Sequence, residues 1–506
     1  MIASLLLAAA AAAPQGRLVV LVVVDQLRYQ DVLWLAPELG PKGFAGLGRA
    51  APLRYDTAVT ETAVDHAVLA TGAYADLNGV VANSFWQNGR FAPAVDDPAC
   101  PVWGAKAAKS AAALRIPTVG DALKLNTNGA SRVVSISVKD RSALFLAGPS
   151  ADLALWWETE TGEMASSVCY APAAPAWLPL HPAEAYRSWM WSMLRPDAIA
   201  RLVPQARAPG AAPGYDLGAE FPHPVGQGKL DARLYRAIAA TPPGTTIALR
   251  AARAAVSAMK LGDAGKTDLL LVAIAAVDGV GHSYGALSRE RVDALLRAHD
   301  ELSAFLDELR GRFGRRLSIV LTADHGLTTN LEEEKGLRVS QGGTVAVEEV
   351  IARVNQALDQ GIEPRKDGWV ASLDANALTL REPFPPKAID LAAGVLRREP
   401  GIYRVIPAAE IDHAEPFIRH AFFPGRSGHL LLVVRPLWSL KRHGYAADHG
   451  SPWNDDALVP LYVQSSDFRL RRDPLFRATQ VAPTVAALLE TAPPSAALDA
   501  AAVERP

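Results

Sequence analysis

An α/β fold is predicted, with a central, mostly parallel sheet covered by helices on both faces and capped by insertions. Three observations predict it. Continuous runs of β-branched and apolar residues recur along the chain, as in strands buried on both faces. Stretches of helical periodicity separate them. The polar and charged clusters fall where the apolar runs stop, and in such sheets ligands bind beyond the carboxyl ends of the strands.

The elements follow in order. Residues 2–13 are apolar and Ala-rich, followed by Pro14-Gln15-Gly16. They are too short to span a bilayer, and the small residues before Pro14 suit signal-peptidase cleavage, so residues 1–13 read as a secretory signal without a basic n-region. Arg17 to Val24 (RLVVLVVV) is the first buried strand and ends at Asp25. Residues 63–70 read as a short buried helix with Thr62 at its N-cap. Residues 85–113 and 151–244 are rich in Pro, Ala and Trp, lack periodicity and read as insertions. Between them 132–138 (RVVSISV) is a strand running into Lys139-Asp140-Arg141. Residues 269–277 form another, ending at Asp278. Residues 289–310 carry a long amphipathic helix. Leu317 to Thr322 is a strand ending near Asp324-His325, and 342–436 has the mixed character of a second lobe. A weaker fifth strand lies at 458–463.

Composition narrows the function. Of 506 residues, 50% are hydrophobic and 21% charged, which excludes a disordered or fibrous chain. The net charge of −2 gives no reason to expect a nucleic-acid or anionic-membrane partner. Beyond the leader no stretch is long and apolar enough to span a membrane. Cys100 and Cys169 are too few for a thiolate zinc site, though one bridge can form in an oxidising compartment.

Asp278 and His282 stand four residues apart, Asp324 and His325 are adjacent, and His449 and Asp25 add further donors. Each pair alone reads as a salt bridge or a turn. Together, mostly at strand ends, they form an oxygen and nitrogen donor set that suits zinc with open positions, and several other divalent ions too. Thr62 reads either as an ordinary cap or as a nucleophile, which would need a metal or a base to become an alkoxide.

Set against known families, these residues resemble the alkaline phosphatase superfamily, and within it the phosphate-irrepressible, PafA-type enzymes with a Thr nucleophile. The similarity rests on VVVDQLR at 22–28, the segment from Thr62 to Gly72, Asn83 with Trp86, and SVKDRSA at 137–143. WWETETGEMASS at 156–167, DGVGHSYG at 278–285, TADHG at 322–326 and AADHGS at 446–451 complete it. The resemblance implies an alkaline-phosphatase-like sandwich over residues 17–494, with the insertions at about 85–113, 151–244 and 342–436. It implies two zinc ions, one held by Asp278, His282 and His449, the other by Asp25, Asp324 and His325 with Thr62 bridging to it. It further implies that Thr62 attacks phosphorus, and that Asn83, Lys139 and Arg141 bind the phosphoryl oxygens. Two cations and an amide would favour a monoester dianion. Small phosphate esters, over a broad range, are then the expected substrates of a secreted, periplasmic hydrolase.

The sequence departs from that pattern at Asp65, where relatives often have Gly, and around Asn83 (LNGVVANSFW). Asp65 puts a further carboxylate near the site, and His66 is expected to be structural. Trp156 and Trp157 fit a pocket wall or the core equally well. A phosphodiesterase of the nucleotide pyrophosphatase type shares the metal cage and the Thr, and is the nearest rival; Lys139 and Arg141 argue against it. A sulfatase needs a Cys or Ser nucleophile where Thr62 stands, and a catalytically inert metal protein would not need the full set of groups. Neither the physiological ester nor the oligomeric state follows from the sequence.

Overall fold

The computed structural model describes residues 16–506 apart from 88, 180, 209, 264, 330–341 and 442–443. The leader at 1–13 lies outside the described residues. A nine-stranded sheet organises the chain. Its strands are β1 (Arg17–Val24), β2 (Ala51–Arg54), β3 (Val133–Ile136), β4 (Leu153–Glu158), β5 (Glu163–Ala165), β6 (Thr267–Ile274) and β7 (Leu317–Thr322). A smaller sheet follows, made of β8 (Val370–Asp374), β9 (Ala377–Leu380), β10 (Ile402–Pro407) and β11 (Leu430–Val434). Then β12 (Leu458–Gln464) and β13 (Phe476–Arg477) return to the large sheet, whose order is β13-β2-β12-β7-β1-β6-β3-β4-β5.

Strands β7, β1, β6, β3 and β4 are all parallel. Antiparallel pairings begin at β12 on one side and β5 on the other. Central β1 pairs Leu21 with Leu271 and with Val320. Because it is covered on both faces, its sequence shows no alternation, and residues 18–24 are all buried.

The helices relevant to the site are α1 (Tyr29–Leu35), α2 (Thr62–Thr71), α3 (Asp140–Ala147), α4 (Ala276–Tyr284) and α5 (Arg289–Phe313). Helix α5 begins at a Ser288 cap whose hydroxyl accepts from the Arg291 N–H at 3.1 Å. Its buried Val292, Leu295, Leu302, Phe305 and Leu309 recur at helical spacing. The smaller sheet, in the order β8-β9-β11-β10, packs with α6 (Val347–Gly361) and α7 (Lys387–Leu396) around a separate apolar cluster that includes Val354, Leu358, Leu378 and Leu396.

Three sequence expectations shift. Residues 151–244 are not wholly a cap: Leu153–Glu158 is a buried strand of the large sheet, and Trp156 and Trp157 both lie in the core. The strand expected at 269–277 stops at Ile274, and Asp278 lies in the first turn of α4. The strand beginning at Leu458 is antiparallel. Near the C-terminus, Val503–Glu504 pairs with Arg469–Leu470. Cys100 and Cys169 are joined by a disulfide.

Candidate active site and metal centre

The site sits beyond the carboxyl ends of the parallel strands. Asp25 follows β1, and Asp324 and His325 follow β7; β1 and β7 are hydrogen-bonded neighbours, so adjacency in the sheet brings these three donors together. Their ligand atoms all lie within 4.8 Å of one another. After β6, on the other flank of β1, helix α4 places Asp278 and His282 one turn apart on a single face. Asp278 Oδ1 lies 3.1 Å from His282 Nε2 and 3.6 Å from His449 Nε2. Asp448, not singled out from the sequence as a donor, joins His282 and His449 in a further candidate cluster. Its signal was adjacency to His449, which alone does not separate a ligand from a turn residue.

All three imidazoles are oriented alike. Nδ1 of His282 donates to the Ala447 carbonyl at 3.0 Å, that of His325 to Gly326 at 3.0 Å and that of His449 to Thr60 at 2.8 Å. A carbonyl only accepts, so each Nδ1 carries a proton. Burial lowers His325 and His449, which leaves their Nε2 lone pairs pointing into the site, whereas for His282 burial is overridden by Asp278, which raises it to about 9, so its Nε2 proton faces Asp278 until a cation takes its place. His325 Nε2 then faces Thr62 Oγ1 at 3.4 Å, Asp324 Oδ2 at 3.4 Å and Asp25 Oδ1 at 3.6 Å. Asp25 Oδ1 and Asp324 Oδ2 are buried with no hydrogen-bond partner among the described residues. Such a convergence of acceptors on one point fits a divalent cation.

The electrostatics agree. Burial, reinforced by repulsion from Asp324, pushes Asp25 up to about 8, and burial pushes Asp324 up to about 6. Burial also opposes ionisation of Asp278, but His282 and Lys139 override it and hold that carboxyl well below its usual range. The Lys139 ammonium lies between these groups. It donates to Asp25 Oδ2 at 2.7 Å and to Asp278 Oδ2, and stands 3.5 Å from Thr62 Oγ1. Positive charge is therefore what the cage attracts.

Thr62 is the first residue of α2, and Glu61 is its N-cap, so the cap expected at Thr62 sits one residue earlier. The reason is a remote substitute: Asn83 Oδ1 accepts from the Ala63 N–H at 2.9 Å, and Glu61 Oε2 accepts from the Asn83 N–H at 2.8 Å. Capping thus leaves the Thr62 hydroxyl free to face the cage. It also fixes the Asn83 amide, because its oxygen is turned to an N–H and its NH₂ group remains as the donor. Asn83, Arg141, Asp278, His282 and His449 line one open cleft with Glu61. Arg141 is the second residue of α3, and its buried Nε has no partner among the described residues. Asp140 turns the other way and pairs with Lys109 at 3.0 Å.

Asp65 and His66 lie beneath the cage on α2. Asp65 is fully buried, neither oxygen has a partner among the described residues, and burial with repulsion from Asp324 raises its pKa, which favours the neutral acid. His66 donates from Nδ1 to the Thr62 carbonyl at 2.7 Å, and burial lowers it to about 3, so it is neutral too. The loops that carry the ligands are tied by Asp456, which accepts from Ser451 N at 2.9 Å and from Thr328 Oγ1 at 2.9 Å. His181 is exposed and pairs with Glu163, while His299 is buried and bonded to the Lys42 carbonyl at 2.8 Å.

The family model for type I phosphodiesterase / nucleotide pyrophosphatase matches residues 19–452. The chain is 32% identical to alkaline phosphatase PhoV of Synechococcus elongatus over 331 residues, which are 62% of this chain and 59% of that protein. It is 28% identical to alkaline phosphatase PhoK of a Sphingomonas species, over 91% of this chain and 85% of that protein. The crystal structure of wild-type alkaline phosphatase PafA superposes with a TM-score of 0.86 at 24% identity, covering 97% of this chain and 99% of that one, and shows the shared fold. With the family model matched across most of its length, the chain belongs to the type I phosphodiesterase / nucleotide pyrophosphatase family, as a PafA-like member of the alkaline phosphatase superfamily.

Proposed function

We propose that this alkaline-phosphatase-type phosphoester hydrolase acts on phosphate monoesters, over a broad range, through a phosphothreonine intermediate at a two-zinc site. The observation that carries the reading is the Thr62 hydroxyl, at a helix N-terminus and facing both His325 Nε2 and the Lys139 ammonium. Asp25, Asp324 and His325 would hold one zinc with Thr62 beside it, and Asp278, His282 and His449 the other. Bound zinc supplies Lewis-acid polarisation and neutralises charge on the attacking and leaving oxygens. Thr62 Oγ1 gives up its proton to solvent and bonds phosphorus as the ester oxygen departs. That oxygen takes up a proton and leaves as the alcohol. Water then splits the phosphothreonine, returning the hydroxyl and releasing phosphate. Asn83, Arg141 and Lys139 bind the phosphoryl oxygens and orient them for in-line attack.

Diester hydrolysis is a second reading, favoured by the family model's own description. A diester carries one charge at the phosphoryl group where a monoester dianion carries two, so Arg141 on the cleft wall and Lys139 beside Thr62 support the monoester. Cys100–Cys169, bridged, fits an oxidising compartment and supports a secreted, periplasmic location with the leader removed.

Thr62→Ala tests the chemistry. The variant should lose nearly all turnover while keeping its fold and metal content, and Thr62→Ser should keep part of the activity. Single-turnover incubation with a labelled monoester should label the parent and leave Thr62→Ala unlabelled. A Thr62→Ala protein that turns over like the parent makes Thr62 only a helix residue.

A further inference from the structure

Gln26 touches both halves of the metal cage at once. It follows Asp25 at the end of β1, is fully buried, and adopts φ +66°, a left-handed conformation that is uncommon outside glycine. Its backbone N–H donates to Asp324 Oδ1 at 3.2 Å. Its side-chain Nε2 donates to Asp278 Oδ1 at 2.6 Å. Asp324 belongs to one proposed zinc position and Asp278 to the other.

The surroundings hold Gln26 in this pose. Its carbonyl accepts from Arg291 Nη2 at 2.6 Å, and Arg291 is itself fixed by Asp31 Oδ2 at 2.6 Å. Helix α4 is shaped to admit the side chain: a Cβ at Gly281 would lie 1.8 Å from Gln26 Oε1. Gly281 is three residues after Asp278, so the helix that presents the ligand also leaves room for the residue that orients it.

Each bond selects an oxygen. Asp324 Oδ1 takes the N–H groups of Gln26 and His325, which leaves Oδ2 as the atom facing His325 Nε2. On Asp278, the Gln26 amide occupies one lone pair of Oδ1, the oxygen that His282 Nε2 and His449 Nε2 approach. The rotation of that carboxylate is thereby set. The left-handed backbone makes the two tasks compatible, because it turns the N–H towards β7 and the side chain towards α4.

We infer that Gln26 is a positioning residue that orients Asp278 through its side chain and Asp324 through its backbone, and so fixes the two cation positions relative to each other. The inference rests on the two-zinc reading above. Losing the side chain should then weaken one position selectively, since the backbone bond to Asp324 survives substitution.

The test is a zinc titration of metal-stripped protein by calorimetry, with kinetics at saturating zinc and thermal melts of the metal-free forms. The parent should show two zinc-binding steps. Gln26→Leu, close in size, and Gln26→Gly, at ease with a positive φ, should each weaken one step by about 10- to 100-fold and the other by only a few-fold. Gln26→Asn, whose amide is too short to reach Asp278, should behave like Gln26→Leu. Folded variants with both steps unchanged overturn the inference and leave the zinc reading standing, as does equal weakening of both steps. A parent that takes up no zinc removes the zinc reading and this inference with it.

Discussion

Lys139 carries its charge to a point where Asp25, Asp278 and the Thr62 hydroxyl converge, while Arg141 reaches the cleft wall from the start of α3. Their partners differ, yet in the proposed reading both would meet the charge of a bound phosphoryl group. A monoester dianion gains more from them than a diester does. Removing one charged partner in a partly buried setting costs about 2–5 kcal/mol, or roughly 30- to several-thousand-fold in rate. In Lys139→Ala and Arg141→Ala the ratio of monoester to diester kcat/KM should therefore fall sharply. Equal losses on both substrates would return weight to the diester reading. A second charged group acts on stability. Burial alone would raise the pKa of Asp31, but Arg28 and Arg291 override it and hold the carboxyl at about 2. A depressed carboxylate stabilises the fold above its unfolded pKa of about 4, and that share is lost as pH falls towards 2. Asp31→Asn leaves two buried guanidinium groups without their carboxylate. It should lose about 3–5 kcal/mol at pH 7, and its deficit against the parent should narrow between pH 4 and pH 2 in denaturant titrations. A deficit constant across that range would remove the ion pair as its cause.

Among the elements, the β8–β9 hairpin joins the smaller sheet to the site. Its turn residues Ala375 and Asn376 have φ of +46° and +55°, the handedness of a two-residue hairpin turn. The Asn376 amide donates to the carbonyl of Gly450, next to His449. Asn tolerates this backbone and supplies the donor as well. Asn376→Gly should keep the turn and lose about 1 kcal/mol with the amide bond. Asn376→Val should lose a further 1–3 kcal/mol through the strained backbone. Thermal melts that place Val level with Gly would show that the turn conformation is not required. The same scale explains what the sequence left unread. Asn83 caps α2 from twenty residues away, so no local pattern marked Thr62 as the helix's first residue. Strand β4 sits in a Pro- and Trp-rich stretch, and its apolar run gains meaning only beside β3.

For the molecule as a whole, metal and fold should be linked, because the candidate ligands after β1 and β7, on α4 and in the loop at His449 meet only in the folded chain. Chelation should abolish turnover and lower the thermal midpoint, and added zinc should restore both, with the midpoint rising with zinc concentration. Full activity after verified metal removal would end the zinc reading. The sequence by itself determined the parallel core, because strands buried on both faces must be apolar throughout, as at residues 18–24. It also determined the donor types, since their acidic and imidazole chemistry interrupts the apolar pattern at the strand ends. Tertiary structure alone decided which donors face each other, which tautomer each histidine holds, and that Gln26 and Asp456 serve the site. Those outcomes depend on contacts across up to 389 positions of the chain, as between His449 and Thr60, and such contacts leave no local periodicity to read.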